Sequence, residues 1–440
     1  MNSERSFFSR RCWVDGSLQP ACIIVRDGSI AGLEEKPVKD ATDFGDAIIM
    51  PGAIDAHVHL NEPGRTEWEG FDTGTKAAAA GGVTTVIDMP LNSNPVTTTL
   101  QAFQEKLDAS KGKMHVNVGF YGGLVPGNID QIDALARAGV LGIKCFLTHS
   151  GIDDFPNVSL ELLTEALPVI SGHHLPLLVH CELTGSSSPA SKFKTYIEYL
   201  DSRPDEWETT AVKEVVKAAD ETGGKVHIVH VSSKNSLPFI IAAKEAGISI
   251  TAETCPHYIF FNAEDIPDNK TVYKCAPPIR SKANNLQLIA ALKNGTLDFI
   301  ASDHSPAPPE LKKIDSGDLA QAWGGIAGLQ FLLTSSYTAL KGHLSLEEFI
   351  PLLTEQPARF LQINNRKGFL KPGFDADITI WDPAFSHTVH QSEILHKHSC
   401  SPYIGTQLYG RVLETIVNGQ TVFSNNHIKN LNAGRWLLKK

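Results

Sequence analysis

Apolar and polar positions change rhythm along the chain. The first fifty residues alternate, and CIIVRDGSIAGLEE carries β-branched residues on both sides of an Asp27-Gly28 pair, a hairpin signal. From about Pro51 eight short apolar runs follow, at 53–60, 83–89, 114–121, 141–148, 176–182, 226–232, 248–254 and 297–303. Between most of them lie stretches with apolar residues at i, i+3 and i+4: LQAFQEKLDASK, NIDQIDALARAG, SLELLTEALPVIS, EWETTAVKEVVKAADETG, SLPFIIAAKEAG and NNLQLIAALKNG. Two of these end at Gly139 and Gly247, and the first opens behind a Thr-rich stretch suited to capping. Strands alternating with helices predict a parallel sheet, and eight such units predict an α/β fold, a closed (β/α)8 TIM-type barrel. An open doubly wound sheet is the alternative, because a count of strands does not establish closure. Past about Lys367 strand character returns in GFDADITIWDP and GRVLETIVNGQTVF, the latter with an Asn418-Gly419 turn. The expected organisation is therefore a barrel at 51–366, with 1–50 and 367–440 pairing as one small β-sandwich domain.

Composition narrows the partners. The 440 residues are 42% hydrophobic and 20% charged, which excludes disorder or coiled coil for the whole. Lys plus Arg number 39 against 49 Asp plus Glu, a net charge of −10 without any basic cluster, so neither nucleic acid nor an anionic membrane is expected as partner. No apolar stretch approaches the ~18 residues of a membrane span. The start, MNSERSFFSRRCWVDG, lacks the apolar core of a secretory signal, and Glu4 and Asp15 weigh against a transit peptide. Seven scattered cysteines without a CxxC pair fit reduced thiols in a cytoplasmic enzyme acting on a small molecule.

Active groups of such barrels gather at the C-terminal strand ends. The first strand ends Asp55-Ala56-His57-Val58-His59, where residues two apart share a face and both imidazoles converge; a pair of packed histidines is the alternative. The fourth carries Lys144 between apolar neighbours. Such a lysine either snorkels to solvent or pairs with a carboxylate. Beside divalent cations it must be neutral, displaced or chemically converted, and burial favours the neutral amine. His180 ends the fifth strand. In VHIVHVSS the later histidine, His230, is nearer the rim, whereas His227 is expected to pack against a helix. Asp303 ends the eighth strand, where turn or cap duty is the alternative. Four His, one Lys and one Asp at the ends of strands one, four, five, six and eight make a metal site the joint reading. Nitrogen and oxygen donors without thiolate suit Zn²⁺ by default, with Mn²⁺, Co²⁺ or Fe²⁺ also accommodated.

DAHVHLNEPGRTEWEGFDTGTKAAAAGGVTT, DMPLNSNP, KCFLTHSG, VHCE, VHVSS, ETCPHY, CAPPIR, SDHSP and AWGGIAGLQ together resemble the amidohydrolase superfamily over about residues 47–420. Within it they are most similar to the cyclic amidases, specifically the group that opens allantoin to allantoate in purine breakdown. The resemblance implies two divalent metal ions per subunit on His57, His59, Lys144, His180, His230 and Asp303, with a CO2-derived carbamate on Lys144. It also implies Asp303 as the catalytic proton shuttle and, by analogy, a homo-oligomer, a tetramer. Two divalent ions bring four positive charges; carbamate, Asp303 and a hydroxide remove three, leaving a cationic centre able to polarise a carbonyl.

Relatives differ at the substrate positions. Dihydroorotases have Arg where this chain has Asn61, because their substrate carries a carboxylate; Asn61 suits an uncharged, amide-rich ring. Hydantoinases and dihydropyrimidinases have Tyr where this chain has His149. Arg65 and Asn92 are candidates for the ureido group, with a salt bridge from Arg65 to Glu67 or Glu69 as the alternative reading. Ala276 and Gly324 sit where relatives contact the ring through the backbone. A hydantoinase, dihydropyrimidinase or dihydroorotase is the alternative activity; a one-metal deaminase would not require Lys144, and a non-catalytic scaffold would not require the ligands.

Overall fold

The eight apolar runs form the strands Ala53–Val58, Val83–Asp88, Asn117–Phe120 continued by Gly122–Gly123, Ile143–Phe146, Leu177–His180, Val226–Ile228, Ile250–Thr254 and Phe299–Ile300. The structure, a computed structural model, describes residues 4–184, 193, 195–429 and 432–439. Nearly every residue of these strands is buried, which is why they read as continuous runs rather than as alternation: helices cover one face and the barrel interior the other. Each strand pairs in parallel with its neighbour in chain order. A parallel bridge from Val58 to His304 joins the eighth strand to the first. That bridge closes the ring and removes the open-sheet alternative.

The helical stretches appear as Leu100–Ser110, Ile132–Ala138, Leu160–Gly172, Asp205–Thr222, Leu237–Glu245 and Lys282–Lys293. Thr99 caps the first of them, its side chain accepting the Ala102 N–H at 3.2 Å. Gly139 ends the second in the left-handed conformation at φ 103°, where a side chain would be strained. Apolar spacing does not reveal helix Phe71–Ala80, which follows the first strand. Its buried face is Phe71, Gly74, Thr75 and three alanines, with glycine and threonine where the i, i+3, i+4 reading looks for large apolar residues.

The first and last segments build the small β-sandwich. Its nine-stranded sheet joins Arg5–Val14, Ser17–Arg26, Ser29–Glu34, Thr42–Asp43 and Ile48–Pro51 to Ile378–Thr388, Gln407–Val417, Gln420–Ser424 and His427–Ile428. The two ends of the chain meet where Ile48–Pro51 pairs antiparallel with Ile378–Trp381. Alternate residues Phe7, Ile23, Val25, Ile49, Ile378, Ile380 and Ile416 form its core. Asp27-Gly28 and Asn418-Gly419 both turn with positive φ at each residue, as two-residue hairpins require. The tail departs from the expected 367–440 boundary. Trp436–Leu437 leaves the sandwich and pairs in parallel with Val118 and Gly119 of the third barrel strand. That strand reaches the fourth only through Gly122–Gly123, so its earlier half offers an open edge, which the tail covers.

Candidate metal centre

His57, Lys144 and His180 lie on their strands, whereas His59, His230 and Asp303 follow the strand ends, where the backbone turns out of the ladder. His230 and Asp303 both sit just past strand ends with positive φ, 39° and 44°, a conformation side-chain-bearing residues adopt at a cost. His57 and His59 come from the end of the first strand. Their Nε2 atoms lie 3.2 and 3.4 Å from Asp303 Oδ1. Donor atoms of His57, His59 and Asp303 all fall within 4.8 Å of one another, close enough to share one ion. Across the barrel His180 Nδ1 lies 3.0 Å from His230 Nε2. The His57 and His230 rings, 5.5 Å apart, join the two groups.

Lys144 is fully buried, and its Nζ has no hydrogen-bond partner. Desolvation pulls its pKa down to about 8 although Asp303 and Glu253 oppose the fall. Burial likewise lowers His59, His180 and His230, holding their rings neutral as metal ligation demands. Burial alone would raise Asp303, but His57 and His59 hold it well below the ordinary carboxylate range. A buried amine without a partner, beside neutral imidazoles and an ionised carboxylate, is a donor set lacking its acceptor. It fits cations.

The residues behind these donors were not singled out from sequence. Glu253, on the seventh strand, takes His57 Nδ1 at 2.6 Å. Burial would raise its pKa, yet His57 and His227 hold it at about 2. His227 Nδ1 bonds Thr251 Oγ1 at 2.8 Å, and its ring stacks on Phe299 and lies against Phe360 of helix Glu355–Phe360. It therefore packs against a helix as the spacing predicts, while its Nε2 faces Glu253 Oε2 at 3.3 Å. Glu182, two residues past His180, takes His180 Nε2 at 2.7 Å and is itself held by Arg203. Nothing in VHCE or ETCPHY marks either glutamate, because their partners lie elsewhere in the chain or depend on side-chain direction.

Above the donors opens a cleft of about 520 Å³, lined by His57, His59, His180, His230 and Asp303 together with Arg65, Asn92, His149, Ala276 and Gly324. Asn61 does not line it: its side chain is buried, with Nδ2 3.5 Å from Pro306 O and Oδ1 unpartnered. Arg65 pairs with Asp154 at 2.9 Å and donates to Asn92 O at 3.1 Å; neither Glu67 nor Glu69 is its partner. Glu69 is buried and taken by His304 and the Lys397 N–H, which leaves it out of reach. His149 stands at the rim, mostly exposed, 3.3 Å from Asp153. Asn92 places its amide 3.3 Å from His59 Nδ1.

One wall of the cleft hangs on two lysines. Lys274 Nζ donates to Ala320 O and Ala322 O at 3.1 and 2.7 Å. Lys312 Nζ, buried, donates to Lys274 O, Trp323 O and Gly325 O. A Cβ on Gly325 would stand 2.3 Å from Ser305 O, so only glycine lets this loop close on the end of the eighth strand. The loop sets Trp323 edge-on to Trp68, ring centres 4.9 Å apart. Among the described residues no helix is long and apolar enough to cross a membrane.

The chain is similar to known proteins along nearly its whole length. Residues 48–422 match the Amidohydrolase family. A probable allantoinase of Oryza sativa is 42% identical over 98% of this chain and 90% of its own length. The allantoinase of Saccharomyces cerevisiae is 39% identical over 97% and 96%. Among solved structures, the L-hydantoinase (dihydropyrimidinase) of Arthrobacter aurescens superposes with a TM-score of 0.92 at 29% identity, over 98% of this chain and 99% of that one.

Proposed function

The chain belongs to the amidohydrolase family, and from that premise we propose that it hydrolyses the ring of allantoin to give allantoate. It is a metal-dependent cyclic amide hydrolase. The observation that carries this reading is the convergence of His57, His59 and Asp303 with His180 and His230 at the barrel mouth, above a cleft.

His57, His59 and Asp303 would hold one divalent cation, and His180 and His230 a second, with Zn²⁺ as the default for such donors. Lys144 would serve both as a carbamate: its neutral amine adds to CO2, the N–C bond forms and a proton leaves. The unpartnered, desolvated Nζ supports that assignment. When bound, the cations supply Lewis acidity toward a ring carbonyl and an ionised water at neutral pH.

The chain's own groups do the rest. Asp303 Oδ1 stands between the two imidazoles at the floor of the cleft, where it takes the proton of the attacking water and passes it to the departing ring nitrogen. The carbonyl carbon gains the water oxygen, the ring C–N bond breaks, and the nitrogen leaves as a neutral ureido group. The wall cations are already engaged. Arg65 is held by Asp154, Arg203 by Glu182, and Lys274 by backbone carbonyls. None offers a free bidentate face to a substrate carboxylate, which favours a neutral ring over dihydroorotate. Arg65, Asn92 and His149, all in the cleft lining, would meet the substrate, Arg65 and Asn92 as the ureido candidates, with Ala276 and Gly324 offering backbone groups. Asn61, buried against Pro306 O, does not reach the cleft. The free cysteines support a reducing, cytoplasmic setting, and a homotetramer is the proposed assembly by analogy with the branch.

A panel of allantoin, hydantoin, dihydrouracil and dihydroorotate assayed with metal-replete protein tests the reading. Ring opening of allantoin, by far the fastest, is expected. Preference for hydantoin or dihydrouracil would reassign the chain to the hydantoinase-like activity of its structural relative.

A further inference from the structure

The two pairs of histidines are backed differently. His57 gives its Nδ1 to Glu253 at 2.6 Å, which leaves Nε2 to face Asp303. His180 is reversed: Glu182 takes Nε2 at 2.7 Å, which leaves Nδ1 to face His230. A carboxylate on the outer nitrogen fixes the proton there and makes the inner nitrogen a better donor. His59 has only the neutral amide of Asn92 behind it, and His230 Nδ1 has no partner. Each half of the centre thus contains one carboxylate-backed histidine and one that lacks such backing.

The far sides of the two carboxylates differ as well. Glu253 looks onto His227, which is sealed between Phe299 and Phe360. Glu182 looks onto Arg203, whose Nε donates at 3.0 Å and whose Nη2 donates to the other oxygen. Arg203 lines the cleft and is partly exposed. One carboxylate is enclosed by a neutral, packed wall; the other is steadied by a charge in the lining of the cleft.

We propose that Glu182 and Glu253 are positioning residues that set the grip of the two cation half-sites separately, Glu253 for the His57/His59/Asp303 half and Glu182, steadied by Arg203, for the His180/His230 half. This rests on the two-cation reading above. Removing one carboxylate weakens one half and spares the other, because neither glutamate touches a histidine of the opposite half.

The test uses the metal-replete enzyme and its Glu182→Gln, Glu253→Gln and Arg203→Met variants. Cations per chain are counted after dialysis against graded chelator, and anomalous diffraction identifies the half that has emptied. Glu182→Gln should release the His180/His230 cation at ~10–100-fold lower chelator strength, with the other half retained. Glu253→Gln should do the reverse, and Arg203→Met should empty the same half as Glu182→Gln with a smaller shift, partly restored in Arg203→Lys. Should Glu253→Gln not fold, His227→Gln leaves the glutamate in place and is expected to loosen the same half. Equal loss from both halves, or unchanged retention in all variants, overturns the proposal while leaving the two-cation reading intact. A wild-type enzyme that holds a single cation overturns both.

Discussion

Two buried lysines, one behind the second barrel strand and one at the barrel mouth, are built in opposite ways. Lys106, on helix Leu100–Ser110, reaches Asp88 Oδ2 at 2.6 Å and Met89 O at 3.0 Å. The other oxygen of Asp88 accepts the Leu60 N–H at 2.7 Å. Lys144 is as deeply buried, yet its Nζ meets no acceptor, only the face of Phe146 at 4.8 Å. Where the fold needs a buried charge for its own cohesion, the charge is matched. Where a donor is left unmatched at the cost of its desolvation, the proposed function supplies the missing partner from outside the chain, as CO2 and cations.

The largest expected effect sharpens that contrast at Lys144. Lys144→Ala should reduce turnover to background and strip the cations, and short carboxylic acids should restore part of both by standing in the space of the proposed carbamate. Metal analysis and a rate series in added acid measure this. Full cation retention without rescue would mean that the amine has another role.

Next in size is Asp303→Asn, which keeps an oxygen donor but cannot shuttle a proton. A fall of ~10²–10⁴ in kcat is expected with cations still bound. Undiminished turnover would move the proton transfer to another group, and His149 at the rim would be examined first.

The contrast also explains what the sequence could and could not disclose. The eight strands and the ends bearing His57, His59, Lys144, His180, His230 and Asp303 were legible, because burial on both faces writes an unbroken apolar run and i, i+2 spacing is a local fact. Glu182 and Glu253 were not. Both are ordinary letters at strand ends, and their roles exist only once His180 turns its Nε2 back and once the seventh strand lies beside the first donor. Arg65 was legible as a cleft residue but not in its pairing, since Asp154 arrives from a loop 89 positions away. Helix Phe71–Ala80 escaped because Gly74 and Thr75 stand on its buried face, where the spacing argument looks for large apolar residues. The tail strand Trp436–Leu437 escaped because the open edge it covers is a property of another strand.

On stability, the two lysines should part in the opposite sense from activity. Lys106→Met leaves Asp88 buried and charged without its counter-ion, and the expected loss is ~3–5 kcal/mol in denaturant unfolding of the metal-free chain. Lys144→Met removes a desolvated amine that pairs with nothing and fills its space with an apolar chain of similar length. The metal-free form should then be unchanged, or more stable by up to ~1–3 kcal/mol, the desolvation cost of one unsatisfied polar group. Unfolding midpoints of the two variants beside wild type, all metal-free, decide it. If Lys144→Met were as damaging as Lys106→Met, Lys144 would be a matched structural residue like Lys106, and the inference from its empty surroundings to an acquired partner would fail.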